Sequence, residues 1–572
     1  MPGAKGQVLV TLNRQAVTLS VLGIGLLAAF ATERAARFVD VAATAGLTDV
    51  LHCGNTESAK YIIETLGSGV ALLDYDRDGD LDAFFVTASR LEGFPAGQEP
   101  TNHLYRNEGD GTFRKVTKEA GLSQSGWGQG VCVGDYDNDG FDDLFVTYWG
   151  PNHLYRNNGK GAFIDVTEHS GFKSGKRWST GCAYVDYDLD GRLDLFITNY
   201  IVFDKEKIPL PGEAPTCRWK GLPVMCGPKG LPGETNQLFH NEGNGVFREV
   251  SEPSGVAKVG DRYSLSVTTL DYNRDRYPDI YVAVDSQASI LFRNNRDGTF
   301  TDVAVEAGVA YSEDGVEQSG MGSAAGDFDG DGHLDLTKTN FIDDTANLYR
   351  NNGDGTFEDH IHPSGMGVNT KYMGWGVAFL DYDNDGRPDI FMANGHIYVE
   401  IERLMREASY REARLLYRNT GGGKMEDVSA LSGSGVTSLQ SSRGLAAGDY
   451  DNDGDVDVFV TNMNERPSLL RNDGGSRQSF LSIQLVGTKS NRNGIGARVT
   501  VTAAGRSQVQ EVRSGSSFMS QSDLRLHFGL GPATRVDQIE VRWPRLNSVD
   551  VATDVAANQF VVFEEGKGLH RR

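Results

Sequence analysis

The chain has 572 residues, 39% of them hydrophobic, with 70 glycines and a formal net charge of -23. That length and apolar content support a large buried core and more than one domain. So acidic a chain is a poor partner for nucleic acid, whose phosphates it would repel.

Lys5 and Arg14 precede an apolar run from Ala16 to Ala31 that closes with Ala29-Phe30-Ala31. This small-x-small ending predicts a signal peptide over residues 1–31, cleaved after Ala31. An uncleaved N-terminal membrane anchor is the competing reading, although the run is shorter than the roughly 20 residues a span needs. No later stretch is apolar enough to cross a membrane, so the mature chain is expected to be secreted, periplasmic or held at the cell surface. Phe38 to Val41 follows, with an aromatic-x-Asp-Val pattern that recurs later in the chain.

From Asp74 onward one motif dominates. Asp-x-Asp-x-Asp-Gly-x-x-Asp, or a one-step variant, begins at Asp74, Asp135, Asp186, Asp271, Asp327, Asp381 and Asp449. Carboxylates at positions one, three, five and nine converge on a space the size of a hard cation, and glycine at position six permits the bend between them. The first set is Asp74, Asp76, Asp78 and Asp82, with the Asp80 carbonyl at position seven. The next two are Asp135, Asp137, Asp139 and Asp143, then Asp186, Asp188, Asp190 and Asp194. The last three are Asp327, Asp329, Asp331 and Asp335; Asp381, Asp383, Asp385 and Asp389; and Asp449, Asp451, Asp453 and Asp457.

The fourth loop departs from the rest. It reads Asp271, Asn273, Asp275 and Asp279, with Arg276 where glycine is expected and Pro278 beside the last ligand. Arginine strains that bend and brings positive charge, while asparagine removes a negative one. This loop is therefore expected to bind weakest or stay empty. Magnesium, which demands a tight octahedron, suits such loops less well than Ca²⁺. Seven divalent ions would cancel more than half of the net charge.

Around each loop the pattern is constant, as from Gly130 to Val166. Small and apolar residues precede the loop, Leu144-Phe145-Val146-Thr147 follows it, then Asn152 to Asn157, a glycine turn and Phe163-Ile164-Asp165-Val166. Short runs bounded by Asn, Gly and Asp predict four antiparallel strands per unit, joined by hairpins. The unit repeats at about 50 residues, a period that indicates a propeller. One four-stranded blade cannot bury both faces alone, whereas seven packed radially can. The fold class is therefore all-β, a seven-bladed β-propeller over residues 37–475. Phe38 to Val41 is expected to supply the outer strand of the seventh blade and so close the ring.

Cys217 and Cys226 lie in a Pro- and Gly-rich insertion and are expected to form a disulfide. Cys132 and Cys182, flanked by apolar residues, read as buried thiols. In every blade the acidic loop and the glycine turn fall on one face. The insertions at 201–235 and 395–416 fall on the other, with Trp127, Tyr148, Trp149, Trp178, Tyr200 and Trp375. That face is expected to meet a protein or glycan ligand; the alternative has Trp127 and Trp375 plugging the channel mouth. Ile401, Leu404, Met405 and Ala408 have helical spacing, so residues 398–413 predict a short docked helix. His396 reads as a turn residue.

After Ser479 the pattern changes to longer alternating strands that predict a small β-sandwich. Its motifs are Asn493-Gly494-Ile495-Gly496-Ala497, Val512-Arg513-Ser514-Gly515-Ser516-Ser517, Leu526-His527-Phe528-Gly529-Leu530-Gly531 and Val541-Arg542-Trp543-Pro544. The repeats resemble FG-GAP/VCBS repeats, the calcium-bearing propeller units also found in integrin alpha chains. Residues 479–566 resemble the ASPIC/UnbV domain, and the combination resembles the cartilage acidic protein family. The resemblance implies an extracellular calcium-binding protein with adhesive or ligand-binding roles and no established catalysis. A carbohydrate-active enzyme, such as a calcium-assisted polysaccharide lyase, is the alternative, but no acid/base pair, nucleophile elbow, P-loop or zinc motif stands out.

Overall fold

The computed structural model describes residues 37–571 apart from 173–174, 405–407 and 546–547. The segment read as an export signal lies outside the described residues. The rest is all-β.

Blade one consists of Val70–Leu73, Asp82–Phe85, His103–Asn107 and Phe113–Lys115, paired antiparallel in chain order. Five further blades repeat this order, their fourth strands starting at Phe163, Phe247, Phe300, Phe357 and Lys424. In the seventh, Ser442–Gly448, Asp457–Asn462 and Ser468–Asp473 are completed by Arg37–Asp40, with Phe38 opposite Asn472. The N-terminal strand thus closes the ring as its sequence predicts. Phe38 is fully buried, its ring 5.5 Å from that of Phe391. First strands of successive blades touch one another all the way round, Ser442–Gly448 returning to Val70–Leu73.

Residues from Ser479 onward build two four-stranded sheets. In one, Ser479–Val486 lies between Leu526–Gly531 and a parallel neighbour, Gln559–Glu564. In the other, Arg498–Ala503 lies between Arg506–Glu511 and Arg535–Arg542. Leu481, Ile483, Val499, Val501, Ile539, Trp543 and Phe563 fill the space between.

This domain sits on the acidic-loop face and sends residues 514–523 into the propeller's centre. Inner strands of a propeller turn unpaired backbone groups toward the axis, and buried groups of that kind need partners. The inserted segment supplies them. Val70 N donates to Ser520 Oγ (3.1 Å), Val131 N to Met519 O (3.2 Å) and Val377 N to Ser517 Oγ (3.1 Å). Ser517 exchanges two backbone bonds with Ser323, and Asp523 N donates to Ala447 O. Glycine is required where the two backbones approach: a Cβ on Gly69 would stand 1.7 Å from Met519 O, and one on Gly444 2.7 Å from Ser520 Oγ.

At the far end Phe518 and Met519 join a core on the opposite face, with Trp127, Trp178, Tyr200, Ile201, Val224, Met225, Trp375 and Ile397. Trp127 and Trp375 are buried in this core, as the channel-mouth reading expects of them. Only Trp149 is half-buried among the six named from the sequence. The insertion covers them, braced by the Cys217–Cys226 disulfide. Among the described residues Cys53, Cys132 and Cys182 are free and buried.

The helix expected over 398–413 is confined to Ile401–Leu404 within the described residues. Downstream the chain is drawn out by its neighbours: Glu412 bridges Gln440, and its carboxylate accepts from Met373 N at 2.9 Å. His396 is fully buried against Trp219, and burial drives its pKa down to about 3.

Candidate metal centres

Each acidic loop is a β-hairpin connection whose ninth residue opens the second strand of its blade. That ninth aspartate is the most buried carboxylate of the loop; Asp82, Asp143, Asp194, Asp279, Asp335 and Asp457 have no exposed surface. It is held by backbone donors. Asp335 Oδ1 accepts from Asn351 N (2.8 Å) and its Oδ2 from Phe328 N (3.0 Å), and the same pair of bonds recurs at Asp82, Asp143, Asp194, Asp389 and Asp457. The first aspartate is fixed by the amide at position six, as in Gly140 N to Asp135 Oδ2 at 2.7 Å.

The backbone turns are equally regular. Position four is left-handed in every loop, at Arg77, Asn138, Leu189, Arg274, Gly330, Asn384 and Asn452. Position six is left-handed as well, with φ between 83° and 102° at the six glycines and 81° at Arg276. The fourth loop thus keeps the glycine conformation without the glycine, which costs about 1 kcal/mol. Arg296 also lays its guanidinium on Asp275 at 2.9 Å, so a protein cation already stands among that loop's carboxylates.

Carboxylate oxygens are brought within 4.8 Å of one another in Asp74, Asp76 and Asp78; in Asp135, Asp137 and Asp143; in Asp186, Asp188 and Asp194; and in Asp327, Asp329 and Asp335. Asp381 feels Asp383 and Asp385 as close like charges, and Asp457 feels Asp451, Asp455 and Asp449. Position five is the solvent-side member, exposed at Asp78, Asp139, Asp331 and Asp453. The Asp80 side chain turns to the neighbouring loop, accepting from Asn452 Nδ2 at 2.7 Å.

Burial pushes the Asp135 carboxyl up to about 8, Asp327 to about 6 and Asp449 to about 7, and neighbouring carboxylates push the same way. Asp143, Asp186 and Asp335 are raised well above the usual carboxylate range for the same first cause. Asp76 Oδ1, Asp186 Oδ1, Asp279 Oδ2 and Asp327 Oδ1 are buried without a hydrogen-bond partner. Buried acceptors left unmatched and crowded by like charge are what a bound cation would satisfy, reversing the pKa logic. The donor sets fit a divalent metal ion.

Two features were not read from the sequence. The asparagine ending each third strand, such as Asn351, donates from Nδ2 to the position-two carbonyl of the preceding loop, here Tyr272 O at 2.8 Å. Every loop is therefore tied to its neighbour: Asn107 to Tyr450 O, Asn157 to Tyr75 O, Asn241 to Tyr136 O, Asn294 to Tyr187 O, Asn419 to Phe328 O and Asn472 to Tyr382 O. The second is the cover. Asn493 accepts from Asp135 N and donates to Asp142, while Arg506, Arg525 and Arg498 donate to the carbonyls of Asp385, Asp449 and Gly332.

A ring of four-stranded blades with an acidic loop in each, capped by a β-sandwich, defines a class of repeat protein. The chain belongs to the FG-GAP-like repeat family: that description matches residues 74–146, 135–197, 271–337, 340–392 and 408–460, together just over half of the chain. Residues 487–570 match the ASPIC and UnbV family. Cartilage acidic protein 1 of Homo sapiens is 26% identical over 306 residues, 52% of this chain and 43% of that protein. The Mus musculus protein is 26% identical over the same length, 44% of its own. The match thus spans less than half the length of these curated relatives. Among solved structures, an Agrocybe aegerita lectin that recognises non-reducing terminal N-acetylglucosamine is 16% identical, with a TM-score of 0.39 over 71% of this chain and 95% of its own. The BP39L lectin of Burkholderia pseudomallei is 11% identical, with a TM-score of 0.42 over the same shares.

Proposed function

We propose that this chain is a secreted, calcium-stabilised, non-enzymatic interaction protein that engages a protein or glycan through the propeller face opposite the acidic loops. The observation that carries the reading is the repeated cluster of buried, unmatched carboxylate oxygens. Their net repulsion makes the ring dependent on divalent cations, which an extracellular setting supplies at high concentration. The disulfide supports export, and the likeness to cartilage acidic protein 1 agrees with it.

The acidic-loop face is taken by the C-terminal sandwich, which leaves the insertion-bearing face for a partner. That face holds a cavity of about 220 Å³ walled by Trp219, Phe341, Trp375 and Tyr398, with Asp285 and Ser286 among its polar groups. Asp285 accepts from Tyr200 Oη at 2.6 Å and from Ser286 Oγ at 2.9 Å, and Ser286 holds a left-handed φ of 58°. Aromatic walls with a few fixed polar groups make a recognition pocket.

The test is a screen of the purified mature chain in millimolar calcium against a glycan array and a panel of extracellular protein domains. Binding is expected, and Trp219→Ala or Asp285→Ala should weaken it at least tenfold with the melting temperature preserved. Binding that survives both changes would place the partner elsewhere, and turnover of an acidic polysaccharide would overturn the non-enzymatic reading.

A further inference from the structure

One blade in seven ends its third strand on histidine and asparagine instead of arginine and asparagine. The residue before the third-strand asparagine is Arg106, Arg156, Arg293, Arg350, Arg418 or Arg471 in six blades and His240 in the third. Where the guanidinium reaches its loop it neutralises carboxylates: Arg350 pairs with Asp329 at 2.5 Å and Asp331 at 3.2 Å, and Arg418 with Asp383 at 3.0 Å. A guanidinium carries donors only and never ligates a metal, whereas imidazole is the commonest protein ligand of transition ions.

His240 Nδ1 stands 3.1 Å from Asp194 Oδ1 and 3.6 Å from Asp188 Oδ2, and the Tyr187 hydroxyl is 3.4 Å from the same nitrogen. Asp188, Asp190 and His240 bring one ligand atom each within 4.8 Å of one another, as do Asp186, Asp188 and Asp194. Asp190 is partly engaged, because Arg192 pairs with its carboxylate. Asp186, 2% exposed, keeps Oδ1 buried without a partner. Two overlapping groups therefore share Asp188: one joins it to His240 and Asp190, the other to Asp186 and Asp194, and Asp194 stands beside the imidazole as well. Neighbouring donors around a tetrahedral ion with bonds near 2.0–2.1 Å lie about 3.3 Å apart, which the two measured histidine separations bracket.

We propose that the third loop is a mixed nitrogen and oxygen site for a divalent transition ion, Zn²⁺ in the first instance, where the third strands of the other six blades bring arginine. Calcium takes oxygen ligands in wide, flexible shells, while an imidazole beside carboxylates shifts preference toward zinc and cobalt. The inference rests on the reading that these loops hold metal. It makes one blade chemically distinct in a ring of near repeats.

Cobalt is the probe. The purified mature chain, saturated with calcium, is titrated with Co²⁺ and followed by visible absorption and elemental analysis. One equivalent of Co²⁺ is expected to bind under excess calcium, with bands of nitrogen and oxygen coordination, and Zn²⁺ is expected to displace it. His240→Arg, which installs the residue of the sister blades, should lower Co²⁺ affinity about a hundredfold, with calcium content and melting temperature preserved. His240→Gln should behave alike, and ¹⁴N coupling to Mn²⁺ in pulsed paramagnetic resonance should vanish in both. Calcium bound without cobalt, or a cobalt spectrum that His240→Arg leaves unchanged, overturns this inference alone. Absence of both metals overturns the loop reading with it.

Discussion

The third-strand asparagine does several things at once. Asn351 caps Asp335 through its amide, reaches Tyr272 O and Leu334 O through Nδ2, and accepts from Gly353 N at Oδ1. The first three of these bonds are buried, so water cannot replace them, whereas Gly353 is exposed. Asn351→Ala would leave the buried carbonyls of Tyr272 and Leu334 without this donor and is expected to cost on the order of 3 kcal/mol. Asn351→Asp should cost as much or more, because it cannot donate and adds charge beside Asp335. Urea unfolding in calcium measures both; a loss below about 1 kcal/mol would remove the latch from the stability argument. The repeated Arg-Asn ending was plain in the sequence, whereas the bond across blades was not, because its acceptor lies 79 positions away and is a backbone carbonyl with no residue signature. His240 was equally visible as a departure from arginine, but became informative only once the hairpin placed its ring over Asp188 and Asp194.

At the scale of elements, aspartate spacing and glycine turns were enough to place every acidic loop, and an aromatic residue or methionine marked the first or second position of each fourth strand. They also placed Arg37–Asp40 beside Ser468–Asp473, since one aromatic signature preceded the first loop and none followed the last. The segment that fills the channel was not legible. In the sequence, Val512 to Ser517 stands only as one of the sandwich's motifs, and the small residues before each acidic loop carry no sign of what they face. In the structure those small residues also admit a foreign backbone, as the 1.7 Å separation at Gly69 demands. Gly69→Ala is therefore expected to expel residues 514–523 from the axis, because neither backbone can yield without losing ring bonds. Hydrogen exchange should then rise sharply at Val70, Val131, Val377 and Ser517, whose amides the pairing protects, while amides of the outer strands stay slow. Unchanged protection at those four amides would mean that the channel tolerates the methyl group and that close approach is not what fixes glycine there.

For the whole molecule, the cover and the metal loops are one mechanical system. The sandwich holds the propeller largely through the loops themselves: Asn493 bridges Asp135 N and Asp142, Gln478 donates to Asp383 O, Arg525 to Asp449 O, and His527 Nε2 lies 2.6 Å from Asn384 Oδ1. Under the proposed metal binding, those loop groups are expected to keep their positions only while the buried carboxylates beneath them are neutralised. Removing cations leaves each cluster two routes, protonation or separation, and separation moves the same backbone that the sandwich grips. Filled sites add about 2.7 kcal/mol each when free ion stands a hundredfold above its dissociation constant, so several sites outweigh the margin of an ordinary domain. In millimolar calcium the chain should accordingly melt in one transition at high temperature. With chelator at neutral pH the melting temperature should fall by more than 10 °C, and limited proteolysis should cut first near residues 474–478, where propeller and sandwich join, releasing a tail that stays protected in calcium. Lowering the pH to about 5 in chelator should restore part of the loss, because protonation relieves carboxylates that burial has raised, Asp135 to about 8 and Asp449 to about 7. The sign follows from the folded state binding more protons than the unfolded chain between its ordinary carboxylate range and those raised values. A melting temperature indifferent to chelator, or a tail that stays equally protected without calcium, would separate the grip of the sandwich from the occupancy of the loops.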